Sequence, residues 1–92
     1  RMNVLRQDQN VDFWDSFRVK AELQRRGLSL AGLSREHGFH QNSAARALRV
    51  SWPVMEEIIS DALGVAPDVI WPDRYENGIP KKYLPRRQNG PG

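Results

Sequence analysis

Apolar positions recur at helical spacing from Phe13 onward, and glycine or proline interrupts them at intervals, so the pattern predicts a series of short helices. Phe13 and Phe17, followed by Val19 and Leu23, predict a first helix from Phe13 to Arg26, with Trp14 near its start. Gly27 stops it, and the basic pair Arg25 and Arg26 suits the negative end of its dipole. Ser29 is placed to cap a second helix, in which Leu30, Leu33, Ser34 and His37 form one core-facing stripe. Gly38 falls where the chain must turn sharply, and Phe39 is expected to plug the corner. A third short helix turns Ala44, Ala47 and Leu48 inward. Trp52-Pro53 then opens a fourth helix carrying Met55, Ile58, Ile59, Ala62 and Leu63, which Gly64 ends. Pro67 opens one further turn of helix before Pro72. Residues 1–12 are polar and unpatterned, which predicts a flexible arm. From Glu76 periodicity vanishes among Gly, Pro and basic residues, which predicts a flexible tail over 76–92. The expected fold class is all-α, with about five helices around one core over residues 13–75.

Two helices joined across Gly38 at a steep angle form a helix-turn-helix, and the third helix would then be its reading element. Its small inward residues, Ala44 and Ala47, permit close approach of the helices. Its outward side carries Gln41, Asn42, Ser43, Arg46 and Arg49. Amide side chains pair bidentately with adenine and arginine with guanine, so Gln41, Asn42 and Arg46 are the candidate base contacts. Ser43, Arg35, Arg49 and His40 are placed for phosphate contacts, and Lys20, Arg25 and Arg26 would extend that surface.

Charge distribution sharpens the picture more than the net +3 does. Seven basic residues oppose only Glu22 and Glu36 between Ser16 and Trp52, whereas six acidic residues oppose Arg74 alone between Pro53 and Ile79. One face is therefore expected toward a polyanion and the other away from it. The absence of cysteine excludes disulfide frameworks and thiolate metal sites, and no apolar run approaches the roughly 20 residues of a membrane span. A cytoplasmic setting is expected. No cofactor is implied. His37 and His40 lie three apart, but they straddle a turn and nothing completes a metal-ligand set. His37 is expected to pack partly buried. No nucleophile elbow or phosphate-cradling loop is present, and Glu56 and Glu57 diverge around a helix, so catalysis is not expected.

Several of these residues together resemble a known family. Leu28 to Arg35, Gly38-Phe39, Ala47-Leu48, Trp52-Pro53, Ile58-Ile59, Ala62-Leu63 and the closing Val69-Ile70-Trp71-Pro72-Asp73-Arg74-Tyr75 are similar to the Ner family, the small negative regulators of Mu-like transposable phages and their bacterial relatives. The resemblance spans Trp14 to Tyr75. It implies a lambda-repressor-like helical domain that represses transcription by binding double-stranded operator DNA. His40, Gln41 and Asn42 depart from the family pattern, so the resemblance does not carry over an operator sequence.

Two other functions fit the residues alone. An architectural binder would coat DNA through phosphates without reading sequence. A protein-interaction module would use Glu56, Glu57 and Asp61 on the acidic helix against a basic partner such as RNA polymerase. A homodimer on a two-fold operator is compatible with the motif, although no leucine-rich pairing helix is evident.

Overall fold

The computed structural model describes residues 13–85. Helix α1 runs Ser16–Arg25, α2 Leu30–Glu36, α3 Ser43–Ala47, α4 Pro53–Leu63 and α5 Pro67–Ile70. The all-α expectation of about five helices holds over this span. The arm predicted for residues 1–12 lies outside it, as do residues 86–92 of the predicted tail.

Helix α1 starts later than its apolar spacing predicts because Asp15 stops it from beginning sooner. The Asp15 carboxylate accepts the Arg18 N–H at 2.8 Å, satisfying one orphan donor of the first turn. Arg18 in turn donates to the Phe13 carbonyl at 2.8 Å, and its guanidinium lies 3.9 Å from the Trp14 ring centre. Only Val19 and Leu23 of α1 are fully inside. Phe13 and Phe17 are 63% and 78% exposed, which corrects their expected place on the core stripe. The reason is geometric: Phe13 precedes the cap, and position 17 sits two residues from Val19, on the other side of the helix.

Ser29 caps α2 through its Oγ, which accepts the Gly32 N–H at 3.0 Å. Gly38 ends the turn that follows, at φ +81°. There the Phe39 N–H reaches back to the Ser34 carbonyl at 2.8 Å and the Gly38 N–H to the Arg35 carbonyl at 3.0 Å. This is a Schellman termination, which requires a left-handed residue. Matching pairs of bonds close α1 and α4. His37, expected to pack partly buried, is exposed, with its ring Nδ1 3.0 Å from the Leu33 carbonyl.

The core gathers Val19, Leu23, Leu33, Ala44, Ala47, Met55, Ile59, Leu63 and Ile70 from all five helices. Ile58 and Ala62 of the predicted α4 stripe pack at its margin. Ala44 and Ala47 are fully buried, so α3 seats its backbone directly on its neighbours. Beyond α5 the chain departs from the expected tail. A 3-10 turn at Pro72–Arg74 leads into an antiparallel hairpin, β1 Tyr75–Glu76 and β2 Ile79–Pro80, with Tyr75 opposite Pro80 and Glu76 opposite Ile79. Asn77 and Gly78 make its turn with φ of 54° and 80°, the positive pair that tight hairpins favour. A second 3-10 turn, Lys81–Tyr83, is tied to the loop after α3 by Lys82 Nζ donating to the Ser51 carbonyl at 2.8 Å.

Candidate nucleic-acid interface

Helix α3 is presented outward by the residues that flank it. At its start, the Ser34 hydroxyl of α2 donates to the Leu30 carbonyl at 2.8 Å and accepts the Ala44 N–H at 2.9 Å. Ser34 and Ala44 are both fully buried, so this bond locks the two helices of the motif inside the core. Phe39 meets Trp52 edge to face, with ring centres 5.7 Å apart, and closes the corner assigned to it from sequence.

Gln41 and Asn42 are exposed and lie in the turn leading into α3 rather than within it. Asn42 occupies the cap position, yet its side chain makes no capping bond. His40 anchors this turn: its carbonyl accepts the Ser43 N–H at 2.9 Å, and its Nδ1 accepts the Asn42 N–H at 3.1 Å. That acceptor role puts the ring proton on Nε2. Arg46 and Arg49 are exposed, and with His40, Asn42, Ser43, Ala45 and Trp52 they line one surface depression. Arg35 is exposed in the last turn of α2. Among the described residues, no carboxylate forms an ion pair with Arg35, Arg46 or Arg49.

Other expected contacts are placed differently. Ser43 is only 8% exposed, because positions 43, 44 and 47 share the inward face of α3, and it reaches the surface at the lining of the α3 depression. Arg25 and Arg26 both engage Glu22, at 3.2 and 2.8 Å. The Arg26 hydrogen bond holds the Glu22 carboxyl below its usual value. Arg26 also reaches the Leu63 carbonyl at the end of α4, at 3.5 Å. These two cations are therefore occupied and do not line the α3 depression. Lys20 stands exposed on α1.

Sequence reasoning missed a buried polar cluster beneath α3. Glu56, expected on an acidic outer face of α4, is fully buried. Its carboxylate accepts from the Trp52 N–H, Arg74 Nη1 and the Tyr75 hydroxyl, each at 2.7 Å. Burial, reinforced by the Glu56 contact, pushes the Tyr75 phenol well above its ordinary value, so it stays a donor. Glu57 and Asp61 remain exposed, beside Val54 and Ile58. No group of three or more potential metal ligands occurs among the described residues, and no helix there is long and apolar enough to cross a membrane.

Comparison with known proteins agrees with this geometry. Residues 13–88 match the family model described as winged helix-turn-helix DNA-binding. The chain is 46% identical over 65 residues to the negative regulator of transcription of Escherichia phage Mu, covering 71% of this chain and 87% of that protein. It is 37% identical over 81 residues to sugar fermentation stimulation protein B of Escherichia coli K12, covering 88% of each. The solution structure of the Mu Ner protein superposes with a TM-score of 0.60 at 45% identity, covering 70% of this chain and 86% of that one.

Proposed function

Because this chain belongs to the winged helix-turn-helix DNA-binding family, in its Ner group, we propose that it is a negative regulator of transcription that binds a specific double-stranded operator, as its phage Mu relative's name describes. The observation that carries this is the outward side of α3 and its leading turn. Asn42, Arg46 and Arg49 share one depression there, and neither arginine has a carboxylate partner. Gln41, Asn42 and Arg46 read base edges, and Arg35, Arg49 and His40 hold the phosphates on either side. Lys20 is free to add a further phosphate contact at the margin. The reading unit is residues 13–75, with the hairpin and 3-10 turn packed beside α4. Repression follows from occupying DNA that polymerase must enter, which places the protein on the nucleoid in the cytoplasm. Two copies on a two-fold operator suit the motif, and Glu57 and Asp61 form an exposed acidic face that a polymerase subunit would meet.

Selection of bound duplexes from a random library at about 150 mM salt tests the proposal, since phosphate-only binding is strongly weakened there. An enriched motif supports a sequence-specific regulator. Recovery without a motif replaces it with the architectural reading. Arg46→Ala should then lower operator affinity by on the order of tenfold or more and leave scrambled duplexes much less affected. Equal weakening of both would remove Arg46 from the base contacts.

A further inference from the structure

Helix α3 is five residues long, so it cannot hold its own shape or tilt. The pose of Arg46 over a base edge must be imposed by what grips the two ends of the helix. At the first end the grip is Ser34. At the far end the last carbonyls of α3 need donors, and no basic side chain of neighbouring sequence supplies them. Arg74 does, from 27 residues downstream. Its Nη1 donates to the Ala47 carbonyl at 2.7 Å, and its Nη2 to the Leu48 carbonyl at 3.2 Å. The same Nη1 lies 2.7 Å from Glu56 Oε2, and the guanidinium faces the Trp71 ring with 5.2 Å to its centre.

We propose that Arg74 is a positioning residue for base reading: it fixes the C-terminal end of α3, and with it Arg46 and Arg49, at a set angle to the DNA. This rests on α3 being the reading element, as proposed above. A cation at a helix C-terminus is favourable in itself, but charge alone would not define an angle. The planar fork of arginine reaches two successive carbonyls and a carboxylate at once, which a lysine ammonium on a flexible stem cannot reproduce. Glu56 in turn ties the fork to the first turn of α4 through the Trp52 N–H and to the hairpin through Tyr75. The end of α3 is thus referenced to two separate elements of the fold. Arg74 is mostly buried, its side chain 17% exposed, and acts on the DNA only through α3.

A residue that merely stabilises the fold changes the folded fraction, and so scales every duplex affinity alike. One that sets the angle of α3 changes the ratio between operator and scrambled duplex, because phosphate contacts tolerate small shifts and base contacts do not. The test is fluorescence anisotropy on both duplexes, at a temperature where thermal melts show each variant fully folded. Arg74→Lys keeps a cation beside Glu56. The double variant Arg74→Met with Glu56→Gln leaves no orphan carboxylate, and so keeps a folded protein available if the single variant melts.

For both, the operator-to-scrambled ratio should fall about tenfold, the size of one weakened base contact, with scrambled affinity near wild type. Amide exchange at Arg49 and Val50, which close the end of α3 by bonding the Arg46 carbonyl, should quicken in parallel. An unchanged ratio in a folded variant, or equal loss on both duplexes, would overturn the positioning role. If the wild type itself showed no preference, the sequence-reading function would fall first, and Arg46→Ala would report the same.

Discussion

Ser34→Ala isolates the joint of the helix-turn-helix in a single atom. The hydroxyl is fully buried and bridges the Leu30 carbonyl and the Ala44 N–H. Losing the first bond costs little, because that carbonyl remains inside the α2 hydrogen-bond ladder. Losing the second strands a donor in the core, since Ala44 has no exposed surface through which water could replace it. An unsatisfied buried donor costs about 1–3 kcal/mol. For a domain of this size each kcal/mol is worth roughly 4–8 °C in Tm, so a fall on the order of 5–20 °C is expected. Ser60→Ala is the matched control. Ser60 is equally buried, but its hydroxyl only donates to the Glu57 carbonyl within α4, at 3.1 Å. Its removal strands nothing and should cost less than about 0.5 kcal/mol. Thermal and urea unfolding followed by circular dichroism, with equal urea slopes, compares the two. Equal losses in Ser34→Ala and Ser60→Ala would refute the orphaned-donor account of the joint.

Two further outcomes follow from the turn and the buried cluster. Gly38→Ala should lower the urea midpoint by the equivalent of about 1–2 kcal/mol through backbone strain alone, since φ is +81° and a Cβ there meets nothing within 4 Å; Gly38→Asn should recover part of that loss, and an alanine variant as stable as wild type would contradict it. The Tyr75 phenol is raised in the folded state above its unfolded value of 10.0, so its contribution is fully present below about pH 10 and is lost as pH climbs beyond. In a Tyr83→Phe variant, which leaves Tyr75 as the sole tyrosine, ultraviolet phenolate absorbance should therefore appear only together with unfolding, and ionisation at about pH 10 in a folded chain would count against the buried assignment.

Much of the fold was legible because its punctuation is local. Gly27, Gly38 and Gly64 each sit at a helix end with positive φ, and Pro53 and Pro67 each open a helix, as their chemistry alone predicts. The hairpin was not found by periodicity, since strands of two residues have no period to detect. Its one local signal, the Asn77-Gly78 pair, pointed to a tight turn and was absorbed into a Gly-rich tail. The α1 start was misplaced because apolar spacing outweighed Asp15, although an acidic cap before the helix was available to see. On the interface, Arg46 and Arg49 were legible as outward arginines. The near-burial of Ser43 was not, because α3 turns that position inward together with Ala44 and Ala47. The Glu56–Arg74–Tyr75 cluster was invisible to sequence patterning for a different reason. Arg74 and Tyr75 are neighbours, but Glu56 lies 18 and 19 residues before them, and the three meet only when the chain beyond α5 returns to α4.

The brevity of α3 has a consequence for how such a protein can change its target. Three of its five residues, Ser43, Ala44 and Ala47, are inside, so the element carries only Ala45 and Arg46 toward the surface. In the proposed assignment the base-reading set is completed by Gln41 and Asn42 ahead of it, both exposed. Under that assignment, preference for one operator over another would be rewritten at Gln41, Asn42 and Arg46 without altering a core side chain. In the proposed reading the side chains that face DNA lie outside the core and Arg74 links the two sets, so a regulator of this kind would diverge in what it reads while keeping the same core.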